Sequence, residues 1–372
     1  MHIHQVFSHK TFYAVGQGGF FSEILQYENE EVVIVYDCGS VDSGTRIETE
    51  IKNFPYKTID YLIISHLDDD HINYIDALKK RRTINHVVLP KLDVLDKAFF
   101  FGKFCEVDEI LNTYFATILK SNLIEVTSQN QEGEASPVIV ENSQEHLHIP
   151  HNRPLGVFYL NNKKDESKTP LWLLKFYVDQ VRYHGKKGED KLDDNEKKLI
   201  DSIDSVKELK KHLDELKEIY EKVRGRMNGS SMAMVSAPNI HLHPYHPYHH
   251  YYDSYELDMD YRVRNYATWM NGDIILKKED EVKRIVQHYK EFFPLHFDYQ
   301  LQHHGSHHNF CRAITEFPEM EVYVFYGYDN SYGHPSGTVL RKLKNDGITI
   351  HDLTENDENI QRHCLWLFYD LF

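Results

Sequence analysis

Ser65-His66-Leu67-Asp68-Asp69-Asp70-His71 is the stretch whose reading decides the fold. It continues the short apolar run Tyr61-Leu-Ile-Ile-Ser65, which reads as a buried strand. Ile72, Ile75 and Leu78 follow at the spacing of one helix side, so a helix is expected over 71–82. A strand end with a tight turn can aim several side chains at one point. His66, Asp68, Asp70 and His71 would then bring together two imidazoles and two carboxylates. Mixed N/O donors of this kind suit Zn²⁺ or Mn²⁺. A purely structural acidic loop is the competing reading, and further His and Asp residues downstream weigh against it.

Outward from this point the pattern is layered α/β. Val32–Tyr36 reads as a fully buried strand stopped by Asp37-Cys-Gly39, and Thr11–Val15 and Phe20–Gln26 flank the turn Gly16-Gln-Gly-Gly19. Val94–Leu119 reads as one long helix or two. Strands are expected at Leu123–Thr127, Pro137–Val140, Leu155–Leu160 and Leu171–Val178. Further strands are expected at Met232–Ala237, Tyr266–Met270, Asp298–Gln302, Glu321–Gly327, Ile348–Leu353 and Cys364–Tyr369, with helices over 278–293 and 336–345. Residues 186–226 are dense in charge, with Leu199, Ile203, Val206, Leu209, Leu213, Leu216 and Tyr220 at helical spacing; they form a helical insertion, read first as a solvated brace. A second insertion, 238–265, is rich in His and Tyr. With no fixed-period repeat and no long linker, residues 1–372 read as a single elaborated domain.

Composition narrows the function. Of 372 residues, 42 are Lys or Arg and 58 are Asp or Glu, a formal charge of −16, which disfavours a passive coat on nucleic acid. No apolar run approaches the roughly 18 residues of a membrane span, and the N-terminal residues lack a signal-like stretch. Four scattered cysteines (38, 105, 311, 364) suit a reducing cytoplasm. The 25 histidines, several of them clustered, point toward metal chemistry.

The H-x-D-x-D-H string at 66–71 resembles the first metal motif of the metallo-β-lactamase superfamily. The branch it most resembles includes the hydrolase domain of the DNA-uptake protein ComEC. Val15-Gly-Gln-Gly18, Val35-Tyr-Asp-Cys-Gly39, Asn228-Gly-Ser-Ser231, Trp269-Met-Asn-Gly-Asp273, Leu301-Gln-His-His-Gly-Ser306 and Tyr332-Gly-His-Pro335 follow that branch's landmarks in order. Departures exist: the carboxylates flanking the opening V-G-Q-G are absent, Tyr74 stands for a glycine, and Asn271 for a threonine. The resemblance implies an αββα four-layer sandwich holding two divalent metal ions. It implies that His66 and Asp68 hold one, Asp70 and His71 the other, and that Asp273 bridges them. One of His303 and His304 would complete the second site, and Asn228 or a histidine of 241–250 the third motif. Ser231 lies in the same motif.

Asp37, beside a buried strand, reads equally as a carboxylate orienting a ligand histidine or as a turn residue. Two adjacent cations would ionise a water between them, with Asp70 in the catalytic set, and clamp the oxygens of an in-line displacement. The expected activity is therefore metal-dependent hydrolysis, foremost of phosphodiesters in a short or single-stranded nucleic acid or a nucleotide. His334, His307 and His308 are candidate general acids. Ser306 and Asn309 are candidate phosphate donors or loop caps. The resemblance also admits a place in a multi-gene, anti-phage type system, with 186–226 as a partner surface. Rival readings are a hydrolase of small esters, lactones or phosphocholine-type groups, and a non-catalytic scaffold.

Overall fold

The computed structural model describes residues 3–42, 44–130, 136–140, 146–161, 168–179, 192–223, 231–242, 266–317 and 319–369. The strands are β1 (Ile3–Phe12), β2 (Gly18–Tyr27), β3 (Glu30–Ser40), β4 (Thr58–Ile63), β5 (Thr83–Pro90), β6 (Asn122–Thr127), β7 (His146–Pro150), β8 (Leu155–Asn161), β9 (Lys168–Val178), β10 (Met232–Pro238), β11 (Tyr266–Met270), β12 (His296–Gln300), β13 (Met320–Phe325), β14 (Thr349–Leu353) and β15 (Ile360–Tyr369). They form two sheets, ordered β15-β1-β2-β3-β4-β5-β6-β7 and β14-β13-β12-β11-β10-β9-β8. Pairing is parallel from β3 to β7 and from β11 to β14, and antiparallel elsewhere.

Alternation along β3 shows how the layers are built. Ile34 and Tyr36 face the second sheet, whereas Val33, Val35 and Cys38 face an outer helical layer. That layer includes α1 (Gly44–Asn53), α2 (Asp69–Ile72), α3 (Ile75–Lys79), α4 (Val94–Phe104), α5 (Asp108–Asn112), α6 (Asp194–Ser202), α7 (Val206–Leu209) and α8 (Leu213–Val223). On the far side, α9 (Glu279–Tyr289) and α10 (Gly337–Asn345) cover the second sheet through Val282, Ile285, Val339 and Leu343. The result is the four-layer α/β/β/α arrangement.

Several boundaries differ from the sequence reading. β1 begins at Ile3, not Thr11, because its inward positions His4, Ser8 and Lys10 are polar yet buried, which masks the alternation. The single helix expected over 71–82 breaks into α2 and α3. Asn73 turns its amide to the backbone of Ser40 there, donating to Ser40 O (2.8 Å) and accepting from Ser40 N (3.0 Å). Residues 137–140 make only an isolated bridge, Val138 to Leu155.

The described part of the charged insertion lies on the first sheet's helical layer. Its Ile200, Ile203, Leu209, Leu216, Ile219 and Val223 are buried in that layer's core. Gly102 of α4 lies so close to α8 that a Cβ there would stand 2.4 Å from Tyr220 Cβ. Of the 238–265 insertion, residues 243–265 fall outside the described residues, as does Asn228. Among the described residues no helix is long and apolar enough to cross a membrane.

Candidate metal centre

The parallel strands end at a common edge, and the chemistry-bearing residues sit in the turns that follow. Asp37 lies at the end of β3, 66–71 follow β4, Asp273 follows β11, and His303 and His304 follow β12. Ligand sites in parallel α/β sheets form at such carboxyl ends. Glycines let the turns close up. Gly39 sits against the backbone of Asp70 and His71, where a Cβ would come within 2.5–2.6 Å. Gly272 has φ +53° and abuts Ser65. The Asp273 turn is pinned from beneath by Gln300, whose Oε1 accepts from Asn271 N (2.9 Å) and Gly272 N (3.0 Å).

Three imidazoles are tied in the same way. His71 Nδ1 meets Asp37 Oδ2 at 2.8 Å. His304 Nδ1 meets the Phe325 carbonyl at 2.8 Å. His66 Nδ1 meets Ser65 Oγ at 2.9 Å, and that hydroxyl donates to Asp37 Oδ2 at 2.7 Å. A carbonyl or carboxylate can only accept, so the Nδ1 of His71 and of His304 carries the proton, and the Ser65 relay asks the same of His66. In the neutral imidazole each Nε2 is then the lone pair facing the centre, the tautomer a metal ligand requires.

What the nitrogens face is carboxylate. Asp273 Oδ2 lies 3.6 Å from His66 Nε2, and Oδ1 lies 3.5 Å from His71 Nε2 and 3.8 Å from His304 Nε2. Asp70 Oδ2 is 3.1 Å from His304 Nε2 and 3.9 Å from His71 Nε2. Asp68 Oδ2 is 3.8 Å from His66 Nε2. Two donor triads result, His66–His71–Asp273 and Asp70–His71–His304, with all ligand atoms in each within 4.8 Å of one another. The buried Nε2 atoms of His66 and His71 make no hydrogen bond. Donors about 2.0–2.2 Å from one tetrahedral cation stand about 3.4 Å apart, close to the separations found. The residues thus fit divalent metal, with the two oxygens of Asp273 turned toward different histidines.

The carboxylates also set the charge of the cation-free donors, where a proton takes the place that a metal ion would fill. Burial lowers the His71 pKa, but the carboxylates of Asp70, Asp37 and Asp273 outweigh it and hold the imidazole well above its ordinary value. Burial and then His71 push His66 down. Against burial, His303 and His66 hold Asp273 well below the carboxylate range, and His71 and His304 do the same for Asp70. Backbone strain gathers here too. Asp37, His303 and His304 are three of the five non-glycine residues with positive φ among those described. Such conformations cost on the order of 1 kcal/mol each and persist where packing enforces them.

The other candidate residues fall into place around this core. Between the two adjacent histidines, His304 joins Asp70 and His71. His303 instead points Nδ1 at Asp273 Oδ2 (2.9 Å) from a partly exposed position. Asp68 divides its carboxylate, with Oδ1 held by Lys103 at 2.8 Å. His334 lies beside His303, ring centroids 5.6 Å apart. Burial and the neighbouring His303 and His304 push it down to about 4. His308 is exposed, its ring against His307 (3.8 Å), and its backbone N–H bonds Ser306 Oγ. Ser306 N donates to His303 O (2.9 Å), and Asn309 Nδ2 reaches Asp273 O (3.5 Å), so both shape the loop. Ser231 is buried beside Met232, whose N–H bonds Ser65 O (2.8 Å).

Sequence reasoning missed Lys103, Gln300 and the relay through Ser65. Ser65 stood inside the decisive stretch. Lys103 and Gln300 carried no local signal.

No curated protein matches the chain by sequence. Among solved structures, a peroxy diiron form of the chemotaxis sensor ODP is 12% identical over 45% of this chain and 49% of its own, with a TM-score of 0.21. Rubredoxin:oxygen oxidoreductase from Desulfovibrio gigas is 13% identical over 48% and 34%, TM-score 0.23. Metallo-beta-lactamase SMB-1 with mercaptoacetic acid is 10% identical over 76% and 71%, TM-score 0.25. The chain therefore spans about half of the first structure and a third of the second, and likeness this slight adds nothing to the geometry. The family model is more informative: it matches residues 21–158, which hold Asp37 and the whole 66–71 motif. Over these residues the chain is similar to the metallo-beta-lactamase superfamily.

Proposed function

We propose that the protein is a metal-dependent phosphodiesterase acting on a short or single-stranded nucleic acid or a nucleotide. The observation that carries this reading is the trio of histidines whose Nδ1 atoms are engaged behind them and whose Nε2 atoms converge on Asp273 and Asp70. Two Zn²⁺ or Mn²⁺ ions held there would supply an acidified water and positive charge for the non-bridging oxygens of a phosphate.

The chain's residues divide the remaining work. His66, Asp68 and Asp273 would hold one ion, and His71, Asp70, His304 and Asp273 the other. Asp37 orients His71 directly and His66 through Ser65. His334, neutral and beside His303, donates a hydrogen bond to substrate rather than delivering a proton. Lys103 keeps a positive charge next to Asp68, which suits an anionic substrate approaching an otherwise acidic chain.

The test is a panel of single-stranded DNA, duplex DNA, RNA, cyclic nucleotides and bis(p-nitrophenyl) phosphate, each with Mn²⁺, Zn²⁺ and Mg²⁺. Cleavage of a phosphodiester with Mn²⁺ or Zn²⁺ is expected. Hydrolysis of an ester or lactone by metal-loaded protein that leaves every phosphodiester intact would refute the assignment. His334→Gln should lower turnover while metal content stays constant; parallel loss of both would make His334 a ligand.

A further inference from the structure

A second group of metal-ligating side chains lies at the edge of the first sheet. β6 and β7 pair in parallel, with Glu125 opposite His148. His146 stands two residues before His148, so strand alternation puts both imidazoles on the face that carries Glu125. Glu125 Oε2 is 3.0 Å from His146 Nε2 and 3.0 Å from His148 Nδ1. The two rings are 4.6 Å apart, and the three ligand atoms lie within 4.8 Å of one another. None of these residues belongs to the centre built on Asp273.

We propose that Glu125, His146 and His148 form a separate, peripheral site for a borderline divalent cation of the Zn²⁺, Ni²⁺ or Cu²⁺ class. Two imidazoles and one carboxylate are the donors this class prefers over Mg²⁺ or Ca²⁺. Both histidines are half exposed, leaving the remaining coordination positions to water. The donors sit on two adjacent strands, so the cation joins them directly. β7 is the terminal strand of its sheet and only five residues long. A clip from β6 to β7 stiffens this edge and, with bound water, blunts it against pairing with another chain.

The full chain, stripped of metal and reloaded, is titrated with Zn²⁺ against a chromogenic chelator, alongside the His146→Ala/His148→Ala variant. The wild type should bind about one equivalent more than the variant, and Zn²⁺ should raise its melting temperature further. With Cu²⁺, the wild type should show an electron paramagnetic resonance spectrum with nitrogen hyperfine structure that the variant lacks at the same loading. Phosphodiesterase turnover should be equal in both. Equal stoichiometry and affinity in the two proteins would overturn the site, and so would simultaneous loss of every bound ion. If the double variant fails to fold, Glu125→Gln takes its place, with at least tenfold weaker binding of the additional Zn²⁺ expected and unchanged binding fatal to the proposal.

Discussion

Two sets of buried charge cross from one sheet to the other, and they are finished differently. In the first, Lys10 of β1 pairs with Asp298 of β12 at 2.9 Å, both side chains fully buried. Lys10 Nζ also reaches Tyr266 O, and Tyr323 donates to the other oxygen of Asp298 at 3.0 Å. Arg362 in turn donates to the Tyr323 hydroxyl at 2.8 Å. Every charge there has a partner of opposite sign or a hydrogen bond. In the second set, three histidines use one nitrogen on the protein and turn the other toward carboxylates beyond ordinary hydrogen-bond distance, His304–Asp70 alone excepted. A buried polar group normally finds its partner. The first set is complete from protein atoms, whereas the second would become complete with a cation among its donors.

Variants can break this contrast. The largest effect is expected from Asp273→Ala, which removes the carboxylate whose Oδ2 faces His66 and whose Oδ1 faces His71 and His304. Bound metal, measured on purified protein, should fall from about two equivalents to below one, and turnover by at least about two orders of magnitude. Turnover at the wild-type level would sink the proposed centre. Next comes Lys10→Met in the other set. It strands the Asp298 carboxylate, an uncompensated charge costing about 3–5 kcal/mol in denaturant unfolding. Metal content per folded molecule should not change, and a parallel loss of metal would erase the distinction between the sets.

Asp37→Asn sharpens the comparison, because Asp37 supports two of the three histidines. Metal affinity in chelator competition should drop roughly 10–100-fold; an unaltered affinity would reduce Asp37 to a strand-end turn residue. The smallest effect concerns Glu321, at the rim of the paired network. The hydrogen bond from His351, with Tyr266 and Arg362, lowers its carboxyl from 4.5 to about 2. A depressed folded-state pKa contributes stability that is present above the unfolded value and lost as pH falls. Wild-type stability should therefore decline between about pH 4.5 and 2, and Glu321→Gln should flatten that decline. Identical acid limbs would show that the carboxylate carries no such linkage.

Much of this was legible in the linear chain, for a local reason. His66, Asp68, Asp70 and His71 lie within six residues, and the buried runs before them announce strands, so the motif and its layered setting could be read together. Asp273 and the 303–304 pair were reachable because each closes a recognisable strand. The inward polar positions of β1, by contrast, disguised a strand, since Lys10 reads as surface until Asp298 is brought against it.

The amino-acid order was enough to name candidate donors and the α/β layering, because both follow from short-range spacing and side-chain chemistry. Which donors face one another depended on long-range packing. The Phe325 carbonyl selects His304 over its neighbour His303, α4 brings Lys103 to Asp68, and the parallel β6–β7 pairing sets Glu125 against two histidines. No window along the chain contains these choices, because each is a distance between residues on separate elements, realised when the sheets and their covering helices pack together.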